Sequence, residues 1–350
     1  MTRARTTMKD VAEAAGVSVV TVSRVFNNTY RNKVAESTRQ RVLAVAASLN
    51  YRPSLMARGL TKRQTQLIGV IVPSLTGSFT SESVQGIQDL CEEENYSLIL
   101  YTTQQQPKRA RAYLRLLWQE RRVDGLIVVD PPRYYSDIIA PMIEEGIPVV
   151  QLLFDDPSLN TPRVLVNHKM GAIEAVKHLI DLGHRRILHL SSSLPHGSLR
   201  REGYVETMTA HGLSSEIRDL EVGHDWTAAF EAVLQYFSTN TTNRPTAIFA
   251  SSDTAAFGAI KALYHLGLRV PDDASVVGFD DLPFAEMATP SLTTVSQPKY
   301  QVGREAAKTL LKLVRQKEAP SLVLDPRLVV RESTARPPSK TRRQGVAPSR

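Results

Sequence analysis

The sequence predicts an α/β protein: an all-α helix-turn-helix head followed by a two-lobed body of parallel sheets. Three observations carry this expectation. From Leu67 onward, short apolar runs such as "LIGVIV", "DGLIVV" and "TAIFAS" alternate with longer helical patterns. Such alternation implies parallel strands with helices on both faces, and the number of units exceeds one compact sheet. Before Leu67, two short helical patterns flank a glycine, and a third follows. Charge divides at the same place. Residues 1–65 hold twelve Lys and Arg against Asp10, Glu13 and Glu36, whereas the rest hold 31 basic and 32 acidic residues. A basic head on an acidic body points to a polyanion bound by the head, although a solvated, disordered head has the same composition.

The head elements follow in order. Thr7 with Asp10 three residues later matches a capping box, and Val11, Ala12, Ala14 and Ala15 supply a short apolar face. Gly16 can take the left-handed conformation that stops the first helix. The stretch "VSVVTVSRV" alternates apolar and polar residues and is rich in β-branched valine, so local propensity favours a strand. Ser18 as N-cap and the flanking helices favour a helix over Val19–Asn27, with Val22, Val25 and Phe26 facing inward. The third helix, in "STRQRVLAVAASLNY", sets Val42, Val45, Ala46 and Leu49 on one stripe. Helix, turn, helix and a third helix closing a small core is the arrangement that inserts its second helix into the DNA major groove.

The run "MKDVAEAAGVSVVTVSRVFNN" and its continuation through "VAESTRQRVLAVAASLNYRPSLMARGLTKRQTQLIGVIVP" resemble the DNA-binding head of the lactose-repressor (LacI/galactose-repressor) family. By that resemblance Val19, Val20 and Arg24 read base edges, while Ser18, Thr21, Ser23 and Asn27 match phosphate-contacting positions. The two valines depart from the polar pair common in relatives. A valine cannot hydrogen-bond a base but can pack on a thymine methyl, so apolar readout by Val19 or Val20 is expected, with Arg24 donating to a guanine or a phosphate. The alternative for Val20 is a place in the small core. In "PSLMARGL" the resemblance implies a hinge helix that folds on DNA, with Leu60 wedging into the minor groove and Arg58 among the DNA-contacting set. Eight residues are too few for a stable helix alone.

Further phrases, "HLIDLGHRRI", "RREGY", "SSDTAAFGAIKALYHLGLRVPDDASVVGFDDLPFA" and "PSLTTVSQP", extend the resemblance to about Thr334. It implies two lobes like those of periplasmic sugar-binding proteins, a cleft for a small effector, and a homodimer on a pseudo-palindromic operator in double-stranded DNA. The expected divisions are a head at 1–52, a hinge at 53–65, an effector-binding and dimerisation body at 66–335 and a disordered basic tail at 336–350. One lobe is expected at about 66–166 plus 297–325, the other at about 167–296 plus the final strand.

For the cleft the resemblance implies Arg200 as a grip on polar effector groups, Asp280 as an acceptor, and Trp226 and Phe79 as aromatic walls. Ser252 is a possible contact, Asp253 mainly a helix N-cap, and Gln297 a weaker contact in the crossover. A Trp or Phe in a strand–helix fold also reads as core. Leu153 stands where relatives often carry aspartate, and His196 where they offer a hydroxyl or arginine. A pentose or hexose derivative is the expected effector, with a nucleobase or an acid left open.

The rest of the composition narrows the class. No run of about eighteen apolar residues suggests a membrane span, and no apolar region follows the basic N-terminus as a secretory signal requires. The lone cysteine, Cys91, shares a stripe with Val84, Ile87 and Leu90 and reads as a packing thiol, consistent with a reducing cytoplasm. A transport solute-binding protein would not carry the basic head. An enzyme reading finds no Gly-x-Gly-x-x-Gly, no phosphate-cradling Gly-Lys-Ser/Thr and no Gly-x-Ser-x-Gly, and the histidines His178, His184 and His189 lie unclustered in helix or strand patterns. No catalytic residue, metal or cofactor is therefore expected. The tail lacks the heptads that tetrameric relatives carry.

Overall fold

A computed structural model describes residues 6–26, 34–51, 64–75, 78–104, 106–120, 122–129, 135–153, 156–193, 195–222 and 226–338. The chain separates into two compact units, 1–66 and 67–350.

In the first unit, helix α1 (Met8–Ala15) starts at a reciprocal capping box: Thr7 N donates to Asp10 Oδ2 at 2.7 Å, and Asp10 N donates to Thr7 Oγ1 at 3.4 Å. It ends at Gly16, whose φ of 62° lets its N–H reach back to the Ala12 and Glu13 carbonyls. Helix α2 (Val19–Phe26) begins under Ser18, whose Oγ accepts from Thr21 N at 3.1 Å. Helix α3 (Glu36–Ser48) closes a core of Val11, Ala12, Ala15, Val22, Val25, Val42 and Ala46. The valine-rich stretch is thus helical: the caps and the core contact of every third or fourth residue outweigh β propensity. Ala14, expected on the inner face, is exposed. Asn27 and the hinge residues Arg58 and Leu60 lie outside the described residues.

The second unit holds two six-stranded sheets. Strands β1 (Leu67–Val72), β2 (Ser97–Thr102), β3 (Gly125–Val128), β4 (Val149–Leu152), β5 (Arg163–Val166) and β11 (Leu322–Leu324) form the first, in the order β11-β5-β4-β3-β1-β2, all parallel. The second sheet comprises β6 (Ile187–Ser191), β7 (Arg218–Glu221), β8 (Ala247–Ala250), β9 (Ser275–Phe279), β10 (Thr293–Ser296) and β12 (Arg327–Val329). Its order is β12-β10-β9-β8-β6-β7, and only β12 runs antiparallel. The central strands are buried along all or nearly all of their length, as both-face coverage by helices requires.

The chain passes between the lobes after β5, after β10 and after β11. The first and third passages are tied together, Asn167 Nδ2 donating to Asp325 Oδ1 at 3.0 Å. Two helices of the first lobe, α4 (Ser78–Glu93) and α12 (Lys299–Val314), meet at glycines. A Cβ on Gly86 would lie 2.1 Å from the Tyr300 carbonyl oxygen, and one on Gly303 2.0 Å from that of Ser83. The backbones therefore touch only because both positions lack a side chain. This contact fixes the N-terminal turn of α4 beside the cleft. Cys91 is buried in the same lobe's core, and burial pushes its thiol up to about 12.

Candidate functional site: an interlobe cavity and an exposed helix face

Each sheet reverses its strand order once, between β1 and β3 in the first lobe and between β6 and β8 in the second. In such folds the crevice for a ligand lies beyond the carboxyl ends of the strands. A cavity of about 570 Å³ occupies that place. The first lobe contributes Pro73, Phe79, Thr80, Ser81, Val129 and Leu153, a mostly apolar wall. The second lobe contributes His168, His196, Arg200, Thr254, Asp280, Leu282, Pro283 and Phe284, and Gln297 stands in the passage between them. Leu153 (φ 70°) and Asp280 (φ 117°) hold left-handed backbone without being glycine, and both line the cavity. Such strain gathers at sites that the surrounding structure over-determines.

Helix α8 (Pro195–Ala210) carries Arg200, which is 3% exposed. Its Nη2 donates to Asp280 Oδ1 at 3.2 Å and to His168 Nδ1 at 3.3 Å, its Nη1 donates to the Ser251 carbonyl, and its Cζ lies 3.7 Å above the Phe279 ring. Gln297 Nε2 donates to the same Asp280 Oδ1 at 2.6 Å. Two donors on one oxygen describe a carboxylate. Burial pushes its protonation range upward, and the charges of Arg200 and Lys299 pull it back. Arg200 Nε and Gln297 Oε1 are buried without a hydrogen-bond partner among the described residues. Unpaired buried polar atoms beside a cavity are what a ligand would satisfy.

Helix α10 (Asp253–His265) starts at Ser252, whose side chain accepts from Ala255 N at 3.1 Å. The N-cap is therefore Ser252, whereas Asp253 was expected to fill that role. Asp253 is fully buried instead: its Oδ2 accepts from Leu282 N at 2.7 Å and its Oδ1 from Thr294 Oγ1. It braces the loop that carries Asp280 and Leu282. Burial foremost, with Asp280 adding, pushes its carboxyl up to about 7.

The structure therefore brings Phe79, Arg200, Asp280 and Gln297 together around one cavity, and sets Ser252 and Asp253 behind its wall. Trp226, the first residue of α9 (Trp226–Thr239), is not among the lining residues. It is 42% exposed, with Lys261 Nζ 4.3 Å from its ring centroid and Phe230 edge-on at 6.3 Å. His168, Thr254 and Phe284 were missed. His168 sits where β5 ends in "RVLVNH", and a strand end at a lobe passage was the available signal.

In the head, Val19 is 43% and Val20 58% exposed, while Val22 and Val25 are buried. Val20 thus has no part in the small core. Ser18 and Arg24 are also exposed, and Thr21 and Ser23 are half-buried, so these side chains form one outward face of α2.

Comparisons with known proteins agree with both regions. A family profile described as "Bacterial regulatory proteins, lacI family" matches residues 7–54, and one for a periplasmic binding protein-like domain matches residues 176–334. The transcriptional repressor PurR of Photobacterium profundum is 36% identical over 93% of this chain and 98% of its own length. The ribose operon repressor of Haemophilus influenzae is 34% identical over the same shares. Among solved structures, the Lac repressor dimer bound to operator and the anti-inducer ONPF superposes with a TM-score of 0.82 at 30% identity, covering 95% of this chain and 99% of that one. With a three-helix head, a two-lobed body and repressors aligned over 93% of its length, the chain belongs to the lacI family of bacterial regulatory proteins.

Proposed function

We propose that this protein is a sequence-specific transcription repressor. It acts as a homodimer on a pseudo-palindromic operator, and a small carbohydrate effector bound between the lobes sets its operator affinity. The observation that carries this reading is the outward face of α2: two exposed valines beside Arg24, on a helix whose other face is core. A soluble helix gains nothing in stability from exposing adjacent valines, and a thymine methyl gives them a partner. Under this reading Val19 and Val20 read thymine, Arg24 reads a base edge, and Ser18, Thr21 and Ser23 hold phosphates. Asn27, Arg58 and Leu60 complete the DNA set. Phe79, Arg200, Asp280 and Gln297 hold the effector; Ser252 and Asp253 position the wall. The chain then divides into a head at 1–52, a hinge at 53–65, a body at 66–335 and a tail at 336–350.

The mechanism is linkage. An effector that prefers one lobe arrangement shifts the population of DNA-competent dimers by its differential affinity for the two arrangements. Selection of bound sequences from a random double-stranded DNA pool tests the reading. An inverted repeat with thymine facing Val19 and Val20 is expected. Arg24→Ala should leave a weak, salt-sensitive affinity with no preference for operator over scrambled DNA. No enriched motif from the full-length chain, either alone or with small-molecule pools added, or unchanged preference in Arg24→Ala, overturns it.

A further inference from the structure

We propose that His168 sets the effector specificity of the interlobe cavity, donating a hydrogen bond from Nε2 to an acceptor on an uncharged ligand. The proposal rests on reading the cavity as an effector site and deepens that reading. His168 is the first residue of α7 (His168–Asp181), is 6% exposed, and lines the cavity. Arg200 has only donors, so its contact with His168 Nδ1 at 3.3 Å requires Nδ1 to be the lone-pair nitrogen. The ring proton then sits on Nε2, which has no hydrogen-bond partner among the described residues. The Arg200 contact therefore fixes the tautomer and leaves one donor for a ligand.

The charge of the site argues in the same direction. Among the described residues, its charged lining groups apart from the two imidazoles are Arg200 and Asp280, already paired at 3.2 Å. Lys299, just past Gln297, is committed to Glu82 at 3.2 Å and to the Asp281 carbonyl at 3.0 Å. An anionic ligand would have to take Arg200 from Asp280 while lying against that carboxylate. Burial, then Arg200 and His196, hold His168 well below the usual imidazole range, so it offers no cation either. His168 instead offers the cavity a neutral donor at Nε2, and two further lining residues, Arg200 and Gln297, each keep a buried atom, Nε and Oε1, without a hydrogen-bond partner among the described residues. An uncharged ligand with an acceptor for His168 Nε2 suits such a lining.

The test uses the full-length chain and thermal unfolding, which needs no DNA. The probes are D-ribose, D-glucose and D-xylose beside their phosphate esters and aldonic acids, and adenine and uracil beside their nucleoside monophosphates. At least one uncharged probe should bind tenfold or more tightly than its anionic partner. For that probe His168→Leu should lose roughly tenfold in affinity, and His168→Gln, which keeps a donor, should lose less. In [15N]histidine-labelled protein the His168 ring should show the Nε2–H tautomer, with its resonance moving when the probe binds. An anion binding as well as its neutral partner, no binding by any uncharged probe, or an Nδ1–H tautomer overturns the proposal. Should His168→Leu fail to fold, the tautomer and the His168→Gln titration still decide. Binding that leaves operator affinity unchanged would sink the regulatory reading and leave the His168 assignment standing.

Discussion

The two lobes share one strand–helix architecture yet bury different chemistry. The first buries mostly hydrocarbon around its sheet, with Ser83, Thr103, Gln151 and the ion-paired Lys299 among its few buried polar side chains. The second buries His184, His189, Arg200, Asp253, Ser275 and Thr293, nearly all in specific hydrogen bonds. The cavity inherits the contrast: Phe79, Val129 and Leu153 on one side, His168, Arg200 and Asp280 on the other. Hydrophobic packing tolerates small shifts, whereas a buried polar network has one good geometry and a steep cost for any other. In the proposed reading the second lobe is therefore the part that recognises the effector, and the first the part that covers it.

The largest effect should come from breaking the recognising side at Arg200. Arg200→Ala leaves the Ser251 carbonyl without that donor and Asp280 facing only Gln297. Removing one partner of a buried ion pair costs on the order of 3–5 kcal/mol, which chemical denaturation would read directly. Effector response should vanish in the same chain. Lysine should not restore it, because a single ammonium cannot reach carbonyl, carboxylate and imidazole at once. A loss below about 1 kcal/mol would mean that the network is not what holds this lobe.

Asp253 sharpens the same contrast through pH. Its carboxyl, ordinarily at 3.8, lies at about 7 in the folded chain. The folded state therefore holds a proton that the unfolded state releases. Its contribution to stability is full below about pH 4 and is lost as pH rises towards 7, with a limiting slope of about 1.4 kcal/mol per unit. In Asp253→Asn that component should disappear from a stability profile taken between pH 4 and 7. His184 works the other way. Burial lowers it from 6.5 to about 4, so its contribution is present above 6.5 and lost on acidification towards 4. A profile unchanged by Asp253→Asn would show the carboxyl ionised throughout. On the covering side, Phe79→Ala should cost only about 1 kcal/mol of stability, because the ring is half-buried, while weakening effector binding roughly tenfold.

What the sequence made legible follows the same division. Strand–helix alternation and the glycine-turn head are periodic and local, so they were readable before any coordinates. So were Phe79, Arg200, Asp280 and Gln297 as residues to gather, because each lies in a phrase of the chain that resembles a family pattern. His168 offered only its place at a strand end: its significance comes from Arg200, 32 residues away, which fixes its tautomer. Asp253 carried a local reading as a helix cap, and a hydroxyl one residue earlier took that role while Leu282 and Thr294 took the carboxylate. Trp226 carried the resemblance to an aromatic platform, yet its ring lies under Lys261 and outside the cavity lining. Long-range pairings of this kind leave no period in the sequence.

The smallest expected effect on stability separates recognition from cover within the head itself. Val20 and Val22 are two residues apart on α2, one 58% exposed and the other fully buried. Val22→Ala opens a void in a core of seven small side chains that cannot close around it, and should cost about 2 kcal/mol. Val20→Ser removes a methyl pair already in water and should change stability by less than about 0.5 kcal/mol. Its effect belongs on DNA. Serine can hydrogen-bond several bases, so the selected operator should lose its thymine preference at that position by about 1 kcal/mol while binding elsewhere is unchanged. Equal destabilisation by both substitutions would place Val20 in the fold, and the thymine contact would pass to Val19 alone.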